Sequence, residues 1–236
     1  MIGKGKSISH GVAALEYDLA KEIDGQAAAT EIARHELYGC TGAEMVQEMK
    51  PYFTDFPNVK NNCLRFEVSP SIEESSSFTD ADWAELGNDF MQRMGLMNHQ
   101  YIIIRHSGTE SKKEQAHLHI LANRISLSGE LYRDNWIGKR ATEAANAIAK
   151  ERNFVQSQDI GKANKAEIKE AMNEVLKKLQ GFDLTKFQEE LGKLGFKVRE
   201  ARASTGKLNG YYVTARSGTE YKASEIGKGY TLAHIE

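Results

Sequence analysis

The sequence predicts an α+β protein: a two-layer domain with an antiparallel sheet and helices on one face, followed by a small C-terminal helix-hairpin subdomain. Three observations predict it. Two apolar runs, Tyr101–Ile104 and a second opened by His117-Leu118-His119 and continuing through Ala122, flank a polar, Lys-rich interval and read as strands joined by a loop. Asn62–Val68 alternates strictly, with Leu64, Phe66 and Val68 on one face and Cys63, Arg65 and Glu67 on the other, as a half-buried strand does. Around these strands lie amphipathic segments at helical spacing, the pattern of helices stacked on a sheet.

The elements follow in order. Residues 1–10 are polar and Gly-rich, a loop or a short edge strand. Gly11–Ile23 reads as a helix whose buried stripe is Val12, Leu15 and Leu19, with Tyr17 off that stripe. Gly25 ends it, and Gln26–Leu37 reads as a second helix. Thr41 and Glu44 form a capping box that opens a third, which Pro51 terminates. After the Asn62 strand, Phe78–Met94 is amphipathic, with Trp83, Leu86, Phe90 and Met94 inward. The two apolar strands come next, then a turn at Ser128-Gly129-Glu130 and an Ala-rich helix over Ile137–Arg152 carrying Lys139 and Arg140 in its first turn.

Residues 156–165 read as a polar linker, which sets the domains at 1–160 and 164–236. In the second, Lys165–Gln180 and Asp183–Lys193 read as helices. Phe196–Arg199 and Gly210–Thr214 read as a hairpin around Ser204-Thr205-Gly206-Lys207.

Composition narrows the class. The 236 residues are 40% hydrophobic and 27% charged, ordinary globular values that allow a sizeable core. No run of apolar residues is long enough to span a membrane, the N-terminal segment lacks the apolar region of a secretory signal, and two cysteines make no disulfide framework. A cytoplasmic protein is expected. The net charge of −2 gives no bulk support for nucleic-acid binding, but the charge is uneven. Tyr101–Arg140 holds seven Lys/Arg (Arg105, Lys112, Lys113, Arg124, Arg133, Lys139, Arg140) against four acids, and Leu191–Glu236 holds eight against four. Ser71–Phe90 holds six acids and no base. A basic half of this kind suits phosphate contacts.

The chemistry concentrates at His106, His117 and His119, three of the seven histidines within fourteen residues. On a strand, His117 and His119 lie side by side, roughly 6–7 Å apart. An antiparallel partner brings His106 beside them. Three imidazoles converging on one point make a metal site with room left for substrate. Each histidine taken singly reads as an ordinary packed or surface residue; the clustering is what favours a metal.

His106, His117-Leu118-His119 and Asn123-Arg124 resemble the third motif of relaxases, the mobilisation nucleases of the HUH endonuclease superfamily. Ser7-Ile8-Ser9-His10, followed by Tyr17, resembles the family's nucleophile motif. Gly210-Tyr211-Tyr212 and Tyr221–Lys228 resemble the tail of mobilisation-type relaxases, so the likeness touches both ends and the middle of the chain. The chain departs from many relatives at Gly108, where they carry an acid two positions after the first His.

The resemblance implies a metal-dependent single-stranded DNA endonuclease and strand transferase. It implies site- and strand-specific nicking and rejoining at a transfer origin, by attack of Tyr17 on a phosphodiester to give a 5′-phosphotyrosyl link, for mobilisation of a plasmid or mobile element. His10 is the rival nucleophile, whereas Tyr101, Tyr132, Tyr211 and Tyr212 read as core or base-stacking residues. The cofactor is a divalent ion, Mg or Mn, with Zn the alternative. The partners are single-stranded DNA at a transfer origin, accessory mobilisation proteins and a coupling protein, since the chain shows no helicase or primase motif; no membrane insertion is expected.

Glu67 is the first candidate for the carboxylate that orients the ligands, with Glu73 and Glu74 as alternatives. Asn123 holds a ligand or DNA, Arg124 clamps a phosphate or makes a surface salt bridge, and Lys139 and Arg140 face DNA. Three readings compete: a rolling-circle replication initiator of the same superfamily, a three-histidine metal-dependent hydrolase using activated water, and a non-catalytic single-strand binding module.

Overall fold

The computed structural model describes residues 1–23, 25–108, 115–179 and 181–235. Lys112 and Lys113, part of the basic count, lie outside them. The chain forms two compact units, Met1–Ser157 and Gln158–Glu236.

The first unit runs β1 (Ile2–Ile8), α1 (Gly11–Leu19), β2 (Glu22–Ile23), β3 (Gln26–Ala27), β4 (Ala29–His35), α2 (Gly42–Met49), β5 (Cys63–Ser69), α3 (Ile72–Ser75), α4 (Asp80–Met94), β6 (His99–His106), β7 (His117–Ser126) and α5 (Ile137–Glu151). Five of the strands form one antiparallel sheet in the order β1-β5-β7-β6-β4. The α+β class and the antiparallel sheet are therefore as the sequence predicts.

Helices cover both faces of this sheet, where the sequence led us to expect one. On one face α4 and α5 pack Trp83, Leu86, Phe90, Ala141 and Ile148 against Leu64, Phe66, Val68, Ile103 and Ile120. On the other, Ala14 and Leu15 of α1 and Met45, Val46 and Met49 of α2 pack against Cys63, Ile102, Ile104 and Leu121. This is why Ile102–Ile104 is apolar without alternation: a central strand covered twice needs apolar side chains both ways.

Local chemistry places the helices. Thr41 and Glu44 form the capping box of α2, and Thr79 and Asp82 form that of α4. Asp80 and Asp82 in the first turn of α4 also complement its dipole, which accounts for part of the acidic stretch. The Gly-rich start is β1, a full edge strand rather than a loop. A Cβ at Gly3 would lie 2.4 Å from the Ala141 carbonyl oxygen, so glycine there lets Ala-rich α5 sit directly on the strand.

Three further expectations change. Gln26–Leu37 is β3 and β4, not a helix: its helix-forming residues yield to the pairing of Ala29–His35 with β6. Helix α1 ends at Leu19, and its buried residues are Gly11, Ala14, Leu15 and Asp18, leaving Val12 exposed. Residues 156–165 are not a linker, because α6 (Ser157–Lys178) begins there, and the Asn146 side-chain oxygen accepts bonds from the Ser157 amide and hydroxyl. The polar composition belongs to turns of α6 that precede its first buried residue, Ile168.

The second unit continues with α7 (Leu184–Lys193), β8 (Lys197–Arg202), β9 (Leu208–Thr214), β10 (Glu220–Lys222), α8 (Ala223–Ile226) and α9 (Leu232–Ile235). The expected hairpin is there, extended by β10 into a three-stranded sheet over a core of Ile168, Met172, Phe187, Leu191, Tyr211 and Val213. No helix among the described residues is long and apolar enough to cross a membrane.

Candidate active site

Three histidines meet where β6 and β7 end their pairing. His106 stands opposite His117, and Ile104 opposite His119, so the period of two puts all three imidazoles on the face covered by α1. Their ring centroids are 5.4 Å (His106–His117), 4.3 Å (His106–His119) and 4.8 Å (His117–His119) apart. One nitrogen from each ring lies within 4.8 Å of the others. His106 is buried; His117 and His119 are half-buried.

Hydrogen bonds fix which nitrogens are free. His106 Nε2 donates to the Asp18 carbonyl at 2.7 Å and His117 Nδ1 to the Gln115 carbonyl at 2.9 Å. A carbonyl only accepts, so each of these ring nitrogens carries the proton and the opposite nitrogen keeps its lone pair. His119 Nδ1 faces Asp18 Oδ1 at 3.8 Å and Arg65 Nη2 at 3.5 Å, while its Nε2 lies 3.0 Å from His117 Nε2.

The electrostatics agree. Burial first, then the neighbouring His106 and His117, push His119 down to about 2, and burial lowers His106 as well. Rings held neutral keep the lone pairs a cation needs. The donor set, three imidazoles with backbone and carboxylate partners behind them, fits a divalent metal.

The carboxylate behind the histidines is Asp18, which the sequence reading missed. It is 1% exposed, on the inward row of α1 with Ala14 and Leu15, and ion-paired with Arg65. Burial raises its carboxyl above the usual range, with Arg65 opposing. A charged residue on an apolar helical row was the available signal, since a lone buried acid is rare. Glu67, by contrast, bonds Lys4 Nζ at 2.8 Å, Glu74 closes the capping box of α3, and Glu73 lies in the first turn of that helix. Helix α1 is fixed to the sheet at Gly11, where a Cβ would lie 2.6 Å from Cys63 Sγ. Burial pushes that thiol up to about 12, so it is inert.

Tyr17 immediately precedes Asp18. It is 61% exposed, and its phenol has no hydrogen bond among the described residues. His10 stands at the opposite end of α1, exposed.

The other expected contact residues have partners within the fold. Asn123 is fully buried, donates to Gln100 Oε1 at 2.9 Å and accepts from the Ile125 amide at 2.9 Å. Arg124 binds the Tyr132 and Asn61 carbonyls and Asp134, tying the segment after β7 to the sheet. Arg140 lies over the Tyr132 ring, 4.6 Å from its centroid, and donates to the Arg133 carbonyl. Lys139 alone of this group is largely exposed.

No curated protein is significantly similar in sequence. Among solved structures, a metal-bound form of the conjugative relaxase TrwC in complex with oriT DNA is similar at 12% identity and a TM-score of 0.37, over 88% of this chain and 74% of that one. A copper-bound form of the same complex gives 12% identity and 0.33, over 88% and 75%. Superpositions at this level transfer no chemistry. The sequence itself is decisive: residues 17–154, more than half the chain and including Tyr17 and all three histidines, match the MobA/VirD2-like relaxase nuclease domain, and the chain belongs to that family.

Proposed function

We propose that this relaxase nicks and rejoins one strand of DNA at a transfer origin, with Tyr17 as nucleophile and His106, His117 and His119 holding a divalent cation. The observation that supports this reading is the double contact of Asp18 with the cluster, carbonyl to His106 and carboxylate beside His119, because Tyr17 is the residue next to Asp18 on α1. His10 lies eight residues before Asp18, at the other end of the same helix, roughly 12 Å along its axis at 1.5 Å per residue. That favours Tyr17.

His106, His117 and His119 would hold the divalent cation, and its chemistry there would be Lewis-acid polarisation of the scissile phosphate. The protein's own groups do the rest. The Tyr17 oxygen forms a bond to phosphorus, the P–O3′ bond breaks, the phenol releases its proton and the departing 3′-oxygen gains one. The 5′-phosphotyrosyl link stores the phosphodiester, and attack by the 3′-hydroxyl reseals the strand. Nothing is oxidised or reduced.

The test is incubation with a labelled oligonucleotide carrying the cognate transfer origin and Mg or Mn, followed by peptide mapping. The expected product is a covalent adduct on GVAALEYDLAK at Tyr17. Cleavage without any adduct would assign the site to water-based hydrolysis and overturn the proposal.

A further inference from the structure

We propose that the cleft between β1 and β5, beside His119, is a phosphate subsite in which Lys6 and Arg65 hold one backbone phosphate of the bound DNA strand. This rests on the nicking reading above and adds the residues that position the strand.

The cleft has a volume of about 220 Å³ and is lined by Lys4, Lys6, Arg65, Glu67 and His119, with Gly5 and Phe66. Register places these charged groups on one face: Lys6 stands opposite Arg65, Lys4 opposite Glu67, and Glu67 opposite His119. The candidate metal ligand His119 is therefore a wall of the cleft.

Two features call for an anion. Like charges directly opposite on paired strands repel, yet Lys6 faces Arg65 across the ladder. Arg65 is partly compensated by Asp18, but Lys6 makes no hydrogen bond or ion pair with a described residue, unlike Lys4, which Glu67 engages at 2.8 Å. Second, Arg65 Nε is buried without an acceptor, although Nη2 of the same guanidinium holds Asp18. A buried N–H left unpaired costs about 1–3 kcal/mol, so such a group points to a missing partner. A planar guanidinium with one edge committed and another N–H unsatisfied matches a phosphate, and an exposed lysine opposite supplies a second charge.

The full-length protein, metal-free in chelator, is titrated with a labelled oligothymidine over a range of salt. Lys6→Gln, an exposed strand position that tolerates the change, should weaken binding several-fold and lower the salt slope by about 0.7, one single-strand phosphate contact. Arg65→Lys keeps the charge but loses the fork, and should weaken binding with little change in slope. Glu67→Gln removes the cleft's repulsive carboxylate and should tighten binding.

Wild-type affinity and slope in both the Lys6 and Arg65 variants would overturn the subsite. The readout is independent of cleavage. A Tyr17 adduct with unchanged slopes sinks the subsite alone, whereas shifted slopes without an adduct sink the nicking reading alone.

Discussion

The main-chain carbonyl of Asp18 accepts a 2.7 Å hydrogen bond from His106 Nε2, so the helix that presents Tyr17 is joined to the strand that presents the first histidine. The Asp18 side chain extends the link to Arg65 and the edge of His119. One residue thus ties α1, β5, β6 and β7 together around the site.

Removing that carboxylate should cost stability as well as metal affinity. Asp18→Ala leaves Arg65 largely buried without its charge partner, and breaking one side of a buried pair is expensive, so denaturant unfolding should show a loss of about 3 kcal/mol. A milder variant separates the two effects. Asp18→Asn keeps the shape and the carbonyl bond, and isothermal calorimetry should show weaker Mn binding there. Unchanged stability in Asp18→Ala would remove Asp18 from its central place.

The histidines were legible in the sequence because strands impose a period of two and antiparallel pairing returns His106 to His117. Asp18 was not, because its partners arrive from β5 and β7, far along the chain, and helical periodicity alone marks only which row turns inward. The stretch Gln26–Leu37 misled for the opposite reason: its local preference is helical, and only pairing with β6 makes it a strand. The unbroken run Ile102–Ile104 already carried the sign of a sheet covered on both faces.

The double variant His117→Ala/His119→Ala should lose divalent-ion binding altogether, since one ligand cannot hold the ion in an open site. Circular dichroism should show the sheet retained, because both positions are half-buried and strands accept alanine. Calorimetric Mn binding at wild-type strength in this variant would place the ion elsewhere.

The buried histidines set a pH dependence for the metal-free protein. His119 is ordinarily at 6.5 and is held at about 2 in the fold. Below pH 6.5 the unfolded chain therefore takes up a proton that the native site refuses, so stability is full above 6.5 and falls as pH drops towards 2. The slope approaches about 1.4 kcal/mol per pH unit for this one group, and lowered His106 adds in the same direction. The raised Asp18 carboxyl acts oppositely, above 3.8. Urea unfolding from pH 6.5 downwards should show the loss, and His119→Gln should flatten it. A flat wild-type profile would mean that His119 is protonated in the fold.

Arg124 should behave as a structural residue. It binds the Tyr132 carbonyl at 3.1 Å, the Asn61 carbonyl at 2.9 Å and Asp134 at 2.7 Å. Hydrogen bonds from a charged group contribute more than neutral ones, so Arg124→Ala should destabilise by about 2 kcal/mol. The salt slope of oligonucleotide binding should stay at the wild-type value, and a drop of about 0.7 would return Arg124 to the DNA surface.

Tyr17→Phe separates chemistry from structure. The phenol is 61% exposed and unbonded among the described residues, so deleting its oxygen should change stability by no more than about 0.5 kcal/mol. Oligonucleotide affinity and Mn binding should also persist, because neither the histidines nor the Lys6–Arg65 cleft includes this side chain. Strand transfer is different, since in the proposed mechanism the phenol oxygen bonds to phosphorus. Its loss should lower the nicking rate by several orders of magnitude and abolish the covalent adduct, as nucleophile deletions do. The measurement is single-turnover cleavage of a labelled origin oligonucleotide beside its binding isotherm. An adduct that survives on the His10 side would move the nucleophile to the other end of α1, and full-rate cleavage with no adduct would make water the attacking group.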